Sequence, residues 1–210
     1  MDLQMWLLFF SAYLVITLSP GPNVLLVLRN SVKHGWKSAF ITVLGNLCCQ
    51  FIIVCLVAVG VGKLIQELPF WFFAMKLVGG AYLIYLGIKN LIAARKAGLQ
   101  HVEKTAPADT NVSNMFAEAF WVSASNPKTL IFLSAFLPQF LDVNHPAYEQ
   151  FAVMFLSICF IVTSVHLGYS YLIAYFGKFF SFDNFKRKID GITGGLFVAL
   201  GGGLLLSNRS

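Results

Sequence analysis

The sequence predicts an all-α membrane protein: six transmembrane helices arranged as two inverted three-helix repeats, with a proline-broken first helix in each half. Three observations predict this class. The composition is 58% hydrophobic and 11% charged, with a mean hydropathy of +0.74, whereas soluble domains carry about 25% charged residues. Long apolar stretches recur along the chain, and Lys and Arg concentrate in every second loop between them.

The apolar stretches are long enough to be membrane spans. Residues 38 to 62 contain no charged side chain, and at about 1.5 Å per residue such a helix exceeds the roughly 30 Å hydrocarbon core. We therefore expect one transmembrane domain over residues 1–210, with a first half at 1–92, a loop at 93–113 and a second half at 114–210. The stretches run approximately from 5 to 28, 38 to 62, 69 to 92, 114 to 141, 147 to 177 and 189 to 207.

The loop charges predict the orientation. The first, third and fifth loops are rich in Lys and Arg, whereas the second holds only Lys63 and the fourth holds neither. By the positive-inside rule, the basic loops are cytoplasmic and both termini lie outside. One half then begins outside and the other inside, which predicts an inverted repeat.

Two local patterns support the repeat. Pro20 and Pro127 lie at similar positions in the first stretch of each half, and the third stretches share glycine-rich segments at 79–87 and 194–201. Paired glycines let helix backbones approach closely in lipid. Gly191, Gly194 and Gly195 can pair two copies of the chain as readily as two helices of one, so a homodimer remains open.

The proline breaks have their own chemistry. Ser19 and Asn126 are favoured N-cap residues, and a proline at the first helical position is also favoured. Each break therefore predicts the start of a new half-helix, whose positive N-terminal end suits a carboxylate. Carbonyls freed upstream can accept from an ammonium group, and we expect them near Ile16, Leu18 and Ser123.

A site that binds both a carboxylate and an ammonium group fits a zwitterionic amino acid. Counted from opposite faces of the bilayer, Pro20 and Pro127 lie about 20 Å deep, so both breaks fall near the midplane. The alternative is two kinks that only shape the bundle.

Lys128 is a cation near the bilayer centre, where it costs about 2.5–3.5 kcal/mol. It also opposes the dipole of the half-helix that it begins. We therefore hypothesise that Lys128 attracts the substrate carboxylate or changes protonation during transport; snorkelling to an interface is the alternative. His166 is a second candidate for proton coupling because its side chain titrates near neutral pH, although a packed core histidine explains it as well.

Asn46 and Gln50 are four residues apart and share one face of the second stretch. A hydrogen bond between helices explains them as well as a substrate contact does. The complete set of candidate substrate-binding residues is Pro20, Gly21, Pro22, Asn23, Asn46, Gln50, Asn126, Pro127 and Lys128.

Several function classes lack support. No nucleophile motif, phosphate loop or metal-ligand cluster occurs, so we expect neither an enzyme nor a cofactor or metal. The net charge of +6 is spread over loops, which argues against nucleic-acid binding. A membrane thiol–disulfide electron carrier would need paired cysteines beside the breaks. A passive small-solute channel is a third alternative.

The motifs together resemble the LysE/RhtB family of bacterial amino-acid exporters. The segments that carry the resemblance are residues 19–23, His34-Gly35, residues 79–87, Asn126-Pro127-Lys128 and residues 136–140.

The resemblance implies a six-helix exporter in the bacterial inner membrane, with periplasmic termini, that moves amino acids or close derivatives as an antiporter driven by the proton motive force. It assigns the proline motifs, from Pro20 to Asn23 and from Asn126 to Lys128, to the site. Relatives often have an acidic residue in the fifth span, where this chain has Val162, Thr163 and Ser164. His166 is therefore the substitute candidate for proton coupling.

Overall fold

The computed structural model describes residues 1–67, 69–95, 112–142, 145–176 and 182–206, and every element in these ranges is helical. The predicted loop at 93–113 lies outside the described residues except at its ends, which belong to helices. The α-helices are α1 (Leu3–Leu18), α2 (Pro22–His34), α3 (Trp36–Glu67), α4 (Pro69–Arg95), α5 (Val112–Ala124), α6 (Pro127–Ile131), α7 (Ala147–Phe176) and α8 (Phe182–Leu206).

The all-α membrane class agrees with the structure, and the number of spans is four or five among the described residues. Parts of α3, α4, α7 and α8 are each long and apolar enough to cross a bilayer. The pair of α1 and α2 passes the same criterion together, bent by 55°. The predicted stretch at 114 to 141 is divided between α5, α6 and further short turns, so the six-span count is not confirmed.

The first break has a different cap from the one predicted. Helix α1 ends at Leu18, Ser19 is extended (φ −68°, ψ 114°), and the N-cap of α2 is Gly21, which is extended as well. Ser19 therefore ends α1, and the prediction that it caps the next helix was wrong. The reason is the second proline: a residue before proline is disfavoured in helical conformation, so Gly21 cannot continue a helix and α2 begins at Pro22.

The second break follows the prediction. Asn126 is the N-cap, its side chain accepts a hydrogen bond of 3.1 Å from the Lys128 backbone N–H, and Pro127 occupies the first turn of α6. Helix α6 then continues as a π-helical turn, Phe132–Phe136, and a 3-10 turn, Leu137–Phe140. The sequence analysis missed the π-helical turn. Pro138 explains it, because a proline ring clashes with the carbonyl four residues earlier and the turn before it must widen.

Side chains of helix α2 bond to three other helices. The Arg29 guanidinium pairs with the Glu118 carboxylate on α5. Asn30 Nδ2 donates to Thr42 Oγ1 on α3 at 3.0 Å, and Ser31 bonds Ser170 on α7 through their hydroxyls. These bonds hold α2 against α3, α5 and α7.

Glycines set the contact between α4 and α8. A Cβ added to Gly87 would lie 2.7 Å from the Gly194 carbonyl oxygen, and one added to Gly201 would lie 2.7 Å from that of Gly80. The two backbones therefore touch, because no side chain separates them. Gly194 packs against α4, whereas a Cβ on Gly195 would meet no atom of the described part of the chain within 4 Å.

Substituting one interface glycine should destabilise the fold. Gly87→Ala is expected to cost about 1–3 kcal/mol, because the new methyl group must displace the backbone of α8. The matched control is Gly195→Ala, which has open space and should cost nothing. Thermal unfolding of the purified proteins in detergent measures the difference, and equal Tm values for the two variants would contradict the close packing.

Candidate functional site

A cavity of about 40 Å³ lies where the two breaks meet. Helices α1, α2, α3, α6 and α7 all contribute to its wall, together with the π-helical turn. The lining residues are Tyr13, Ile16, Thr17, Ser19, Gly21, Asn23, Val24, Gln50, Asn126, Lys128, Thr129, Phe132, Leu133, Val162 and His166.

Asparagine side chains join the two breaks directly. Asn126 Nδ2 donates to Asn23 Oδ1 at 3.2 Å, and Asn23 Nδ2 in turn lies 3.3 Å from Ser123 Oγ and 3.4 Å from Thr129 Oγ1. Both asparagines are buried. Since Asn126 also caps α6, one side chain sets the start of α6 and its position against α2.

Lys128 crosses from the second break to the first. Its Nζ donates to the Ser19 carbonyl at 2.7 Å and lies 5.9 Å from the centroid of the Phe197 ring. A Cβ on Gly21 would lie 3.8 Å from both Cδ and Nζ of the lysine, an ordinary contact distance, so the lysine side chain packs against the backbone at Gly21. Lys128 is the only Lys, Arg, Asp or Glu among the described residues that line the cavity.

The carbonyls freed at the breaks already have partners. Leu18 accepts from the Tyr169 hydroxyl at 2.6 Å, and the Ser123 carbonyl accepts from the Asn126 backbone N–H at 3.2 Å. The expectation that these carbonyls await an ammonium group therefore needs revision, because the protein itself uses them. Side-chain acceptors at the cavity are a further source of partners for a substrate ammonium.

Side chains of α3 and α7 supply such acceptors. Gln50 lines the cavity, and its Oε1 accepts from the Tyr13 hydroxyl at 2.9 Å, which orients the amide. His166 is 3% exposed and also lines the cavity, and its Nδ1 has no hydrogen-bond partner in the described part of the chain. A neutral imidazole offers one nitrogen as an acceptor, so Nδ1 can bind a donor in the tautomer that carries its proton on Nε2.

The predicted site residues separate into two groups. Gly21, Asn23, Gln50, Asn126, Lys128 and His166 line the cavity, whereas Pro20, Pro22, Asn46 and Pro127 do not. The prolines shape the breaks without contacting the space. Asn46 is fully buried, and among the described residues neither its Nδ2 nor its Oδ1 has a partner.

Sequence reasoning missed several polar residues at the site. Tyr13 and Thr17 lie one helical turn apart before the first break, a spacing that the rule applied to Asn46 and Gln50 could have detected. Asn90 on α4 donates to Ser19 Oγ at 2.9 Å and to Thr193 Oγ1 at 3.2 Å. Its amide thereby ties the first break to α8.

Asp190 is the other residue missed. It is 4% exposed on α8, and its charge interacts with that of Lys128. Lys186 and Lys188 precede it closely in the sequence, and it lies at the very start of the predicted stretch from 189 to 207, so the sequence analysis assigned it no role. Thr193 and Phe197 follow it on the same helical face, however, and both are buried.

The arrangement of a bent helix pair, a half-buried cation and a polar cavity fits a membrane carrier. The profile of the LysE type translocator family matches residues 14–208. The chain belongs to this family. A LysE type translocator is a multi-pass membrane transporter and not an enzyme, so the resemblance expected from the proline motifs is confirmed.

Full-length relatives agree with this assignment. The homoserine/homoserine lactone efflux proteins of Salmonella typhimurium and Salmonella typhi are each 28% identical over 209 residues, which are 100% of this chain and 99% of theirs. A Vibrio cholerae protein named as an uncharacterized membrane protein is 28% identical over 204 residues, or 96% of each chain. No solved structure matches this translocator.

Removing the Asn126 side chain should loosen the contact between the breaks. Asn126→Ala loses the helix cap and leaves Asn23 without its donor, with an expected loss of about 1–3 kcal/mol. Asn114→Ala on the exposed surface of α5 is the matched control. Chemical denaturation in detergent measures both, and a wild-type midpoint for Asn126→Ala would show that the bonds contribute nothing.

Proposed function

We propose that this LysE type translocator is a secondary transporter that exports amino acids or close derivatives from the bacterial cytoplasm. The observation that carries the proposal is the polar cavity at the meeting of the two breaks, with Lys128 as its charged group. The full-length relatives named homoserine/homoserine lactone efflux proteins support the substrate class.

The carboxylate of the substrate binds at Lys128. One N–H of the lysine ammonium bonds the Ser19 carbonyl, and the remaining two can donate to a carboxylate. Asn23 and Asn126 border the same space, as does the backbone at Gly21. Pro20, Pro22 and Pro127 act indirectly, because they end and restart the helices that carry these groups.

The ammonium of the substrate is held by acceptors on the opposite wall. Gln50 Oε1 has a second lone pair beside its bond to Tyr13, and neutral His166 offers Nδ1. Asn46 lies one turn from Gln50 and does not line the cavity. Its two unpartnered polar atoms favour a role in a second conformation of the carrier, in which they find partners.

Export is coupled to protons at the same site. Neutral His166 accepts from the substrate ammonium, whereas protonated His166 repels it, so proton and substrate exclude each other. Mutual exclusion at one atom is what an antiporter needs. Lys128 is the second coupling candidate, because a lysine that loses its proton releases the carboxylate.

The fold proposal is six spans in two inverted repeats, with α5 and residues 127–140 forming the fourth span. Its support is the antiparallel pairing of Gly80 with Gly201 and of Gly87 with Gly194. A second support is that equivalent helices of the two halves make equivalent contacts. The first span of the first half, α1 with α2, packs on α7 of the second half, and α5, in the first span of the second half, packs on α3 of the first.

The membrane placement follows the loop charges. Basic loops are cytoplasmic and the termini periplasmic, in the inner membrane. A homodimer would use the exposed face around Gly195, where no atom of the described residues lies within 4 Å of an added Cβ.

The alternatives have less support. The four cysteines are free and lie on α3 and α7, and none lines the described part of the cavity wall. A thiol–disulfide electron carrier would need two of them together at the breaks. A passive channel differs from a carrier in one measurable respect, since it cannot move substrate against a gradient.

Neutralising Lys128 should weaken substrate binding. Lys128→Gln is expected to lower homoserine affinity about 10- to 100-fold, because a charge-assisted hydrogen bond is worth about 1.5–3 kcal/mol. The control Lys188→Gln removes an exposed cation. Homoserine uptake into inside-out vesicles measures both, and full transport by Lys128→Gln would contradict the assignment.

Substituting His166 should abolish proton coupling and leave homoserine exchange intact. His166→Gln keeps a side-chain acceptor but cannot take up a proton, so homoserine exchange should persist while accumulation driven by a pH gradient is lost. Proteoliposomes with and without the gradient give both rates. Accumulation at the wild-type level would exclude His166 as the coupling residue, and no accumulation by the wild-type protein would favour a channel.

A further inference from the structure

Five buried aromatic side chains form a closed series of ring contacts beside the polar cavity. They belong to α1 and to the π-helical and 3-10 turns, and each is at most 5% exposed. In the order Phe9, Tyr13, Phe132, Phe136, Phe140 and back to Phe9, the ring centroids are 5.8, 5.3, 4.5, 4.9 and 5.4 Å apart. Aromatic rings attract each other at such distances. These five rings are called the aromatic circuit below.

The aromatic circuit extends from the cavity toward one face of the membrane. Tyr13 and Phe132 line the cavity. Phe9 lies one turn nearer the start of α1, and Phe140 ends the 3-10 turn. In the proposed orientation, with periplasmic termini, this direction is outward. The circuit therefore lies between the cavity and the outer ends of α1 and of the fourth span.

The cavity in this structure is too small for an amino acid. Its volume is about 40 Å³, which is room for about three water molecules at about 10–15 Å³ each. Even the smallest amino acid has more non-hydrogen atoms than that. The structure therefore shows the site closed, and binding requires the wall to move. Tyr13 and Phe132 of the circuit belong to that wall.

The turns that carry three of the five rings are suited to such a movement. Phe132–Phe136 is π-helical and Leu137–Phe140 is a 3-10 turn, so this segment departs from the hydrogen bonding of a regular α-helix. Departures of this kind within a helix often mark functional hinges. A hinge here moves Phe136 and Phe140 away from Phe9 and leaves α1 in place.

We propose that the aromatic circuit is the outer gate of the transport path, which opens when the turns from Phe132 to Phe140 move away from Phe9. The inference rests on the proposed function and orientation. Tyr13 connects the gate to the substrate, because its hydroxyl donates to Gln50 Oε1 at 2.9 Å. Gln50 is an acceptor proposed for the substrate ammonium. A substrate at Gln50 is therefore one hydrogen bond away from a ring of the gate.

Access to the cavity from each side of the membrane is the quantity to measure. The starting protein has all four cysteines replaced by serine and carries Thr129→Cys on the cavity wall. A charged, membrane-impermeant methanethiosulfonate labels this thiol from outside in right-side-out vesicles and from inside in inside-out vesicles. Both labelling rates are measured without substrate.

Removing one ring should open the outer side alone. Phe136→Leu keeps most of the apolar volume but loses the ring contacts with Phe132 and Phe140. The outside labelling rate should rise about 5- to 100-fold, because each of the two lost pairs stabilises the closed state by a factor of about 2 to 10. The inside rate should not rise. Phe9→Leu should act in the same way, and it decides the question if Phe136→Leu does not fold.

The matched control is Phe155→Leu, which loses a ring contact outside the circuit. The Phe155 ring lies 5.0 Å from that of Phe51, in a pair between α3 and α7. Phe51 is 50% exposed on the outer surface of the helices. Both labelling rates of this variant should equal those of the starting protein.

The outcomes separate a gate from a loosened fold and from the transport function. An unchanged outside rate in both Phe136→Leu and Phe9→Leu overturns the gate. Equal increases from both sides, or an increase from inside alone, overturn it as well. The labelling needs no substrate. If the wild-type protein moves no homoserine while the labelling follows the prediction, the proposed function is overturned and the outer barrier stands.

Discussion

The bond from Lys128 to the Ser19 carbonyl is the contact on which the site depends. A cation at membrane depth is costly, and a broken helix leaves carbonyls without intrahelical donors. The first break supplies the acceptor, the Ser19 carbonyl, and the second break supplies the donor, the Lys128 ammonium, so each half of the chain partners a polar group of the other. The pairing satisfies one carbonyl and leaves two lysine donors for an anionic ligand.

The surrounding structure holds that bond in place. Asn126 caps α6 and bonds Asn23, so the start of α6 and the start of α2 have a fixed separation. Helix α8 approaches α4 through bare backbone at Gly87 and Gly194, and brings buried Asp190 within electrostatic reach of Lys128. The negative charge partly compensates the cation while leaving its donors available.

The sequence predicted what depends on local rules. Apolar length predicted the helices, and the pair of Asn126 and Pro127 predicted a capped break, because both effects act within a few residues. The sequence-based prediction failed where the local structure or the burial of a residue depends on a second proline or on a residue distant in the chain. The second proline moved the first cap from Ser19 to Gly21, Pro138 widened the turn before it, and Asp190 became buried only through packing that no local pattern encodes.

Protection of the cavity by substrate tests the central claim most directly. In a variant with all four cysteines replaced by serine, Thr129→Cys places a thiol on the cavity wall and Ser125→Cys places one on the exposed turn before the break. The account predicts that homoserine slows alkylation of Thr129→Cys by a maleimide and leaves Ser125→Cys unaffected. Equal rates with and without homoserine at Thr129→Cys would contradict a substrate site at the meeting of the two breaks.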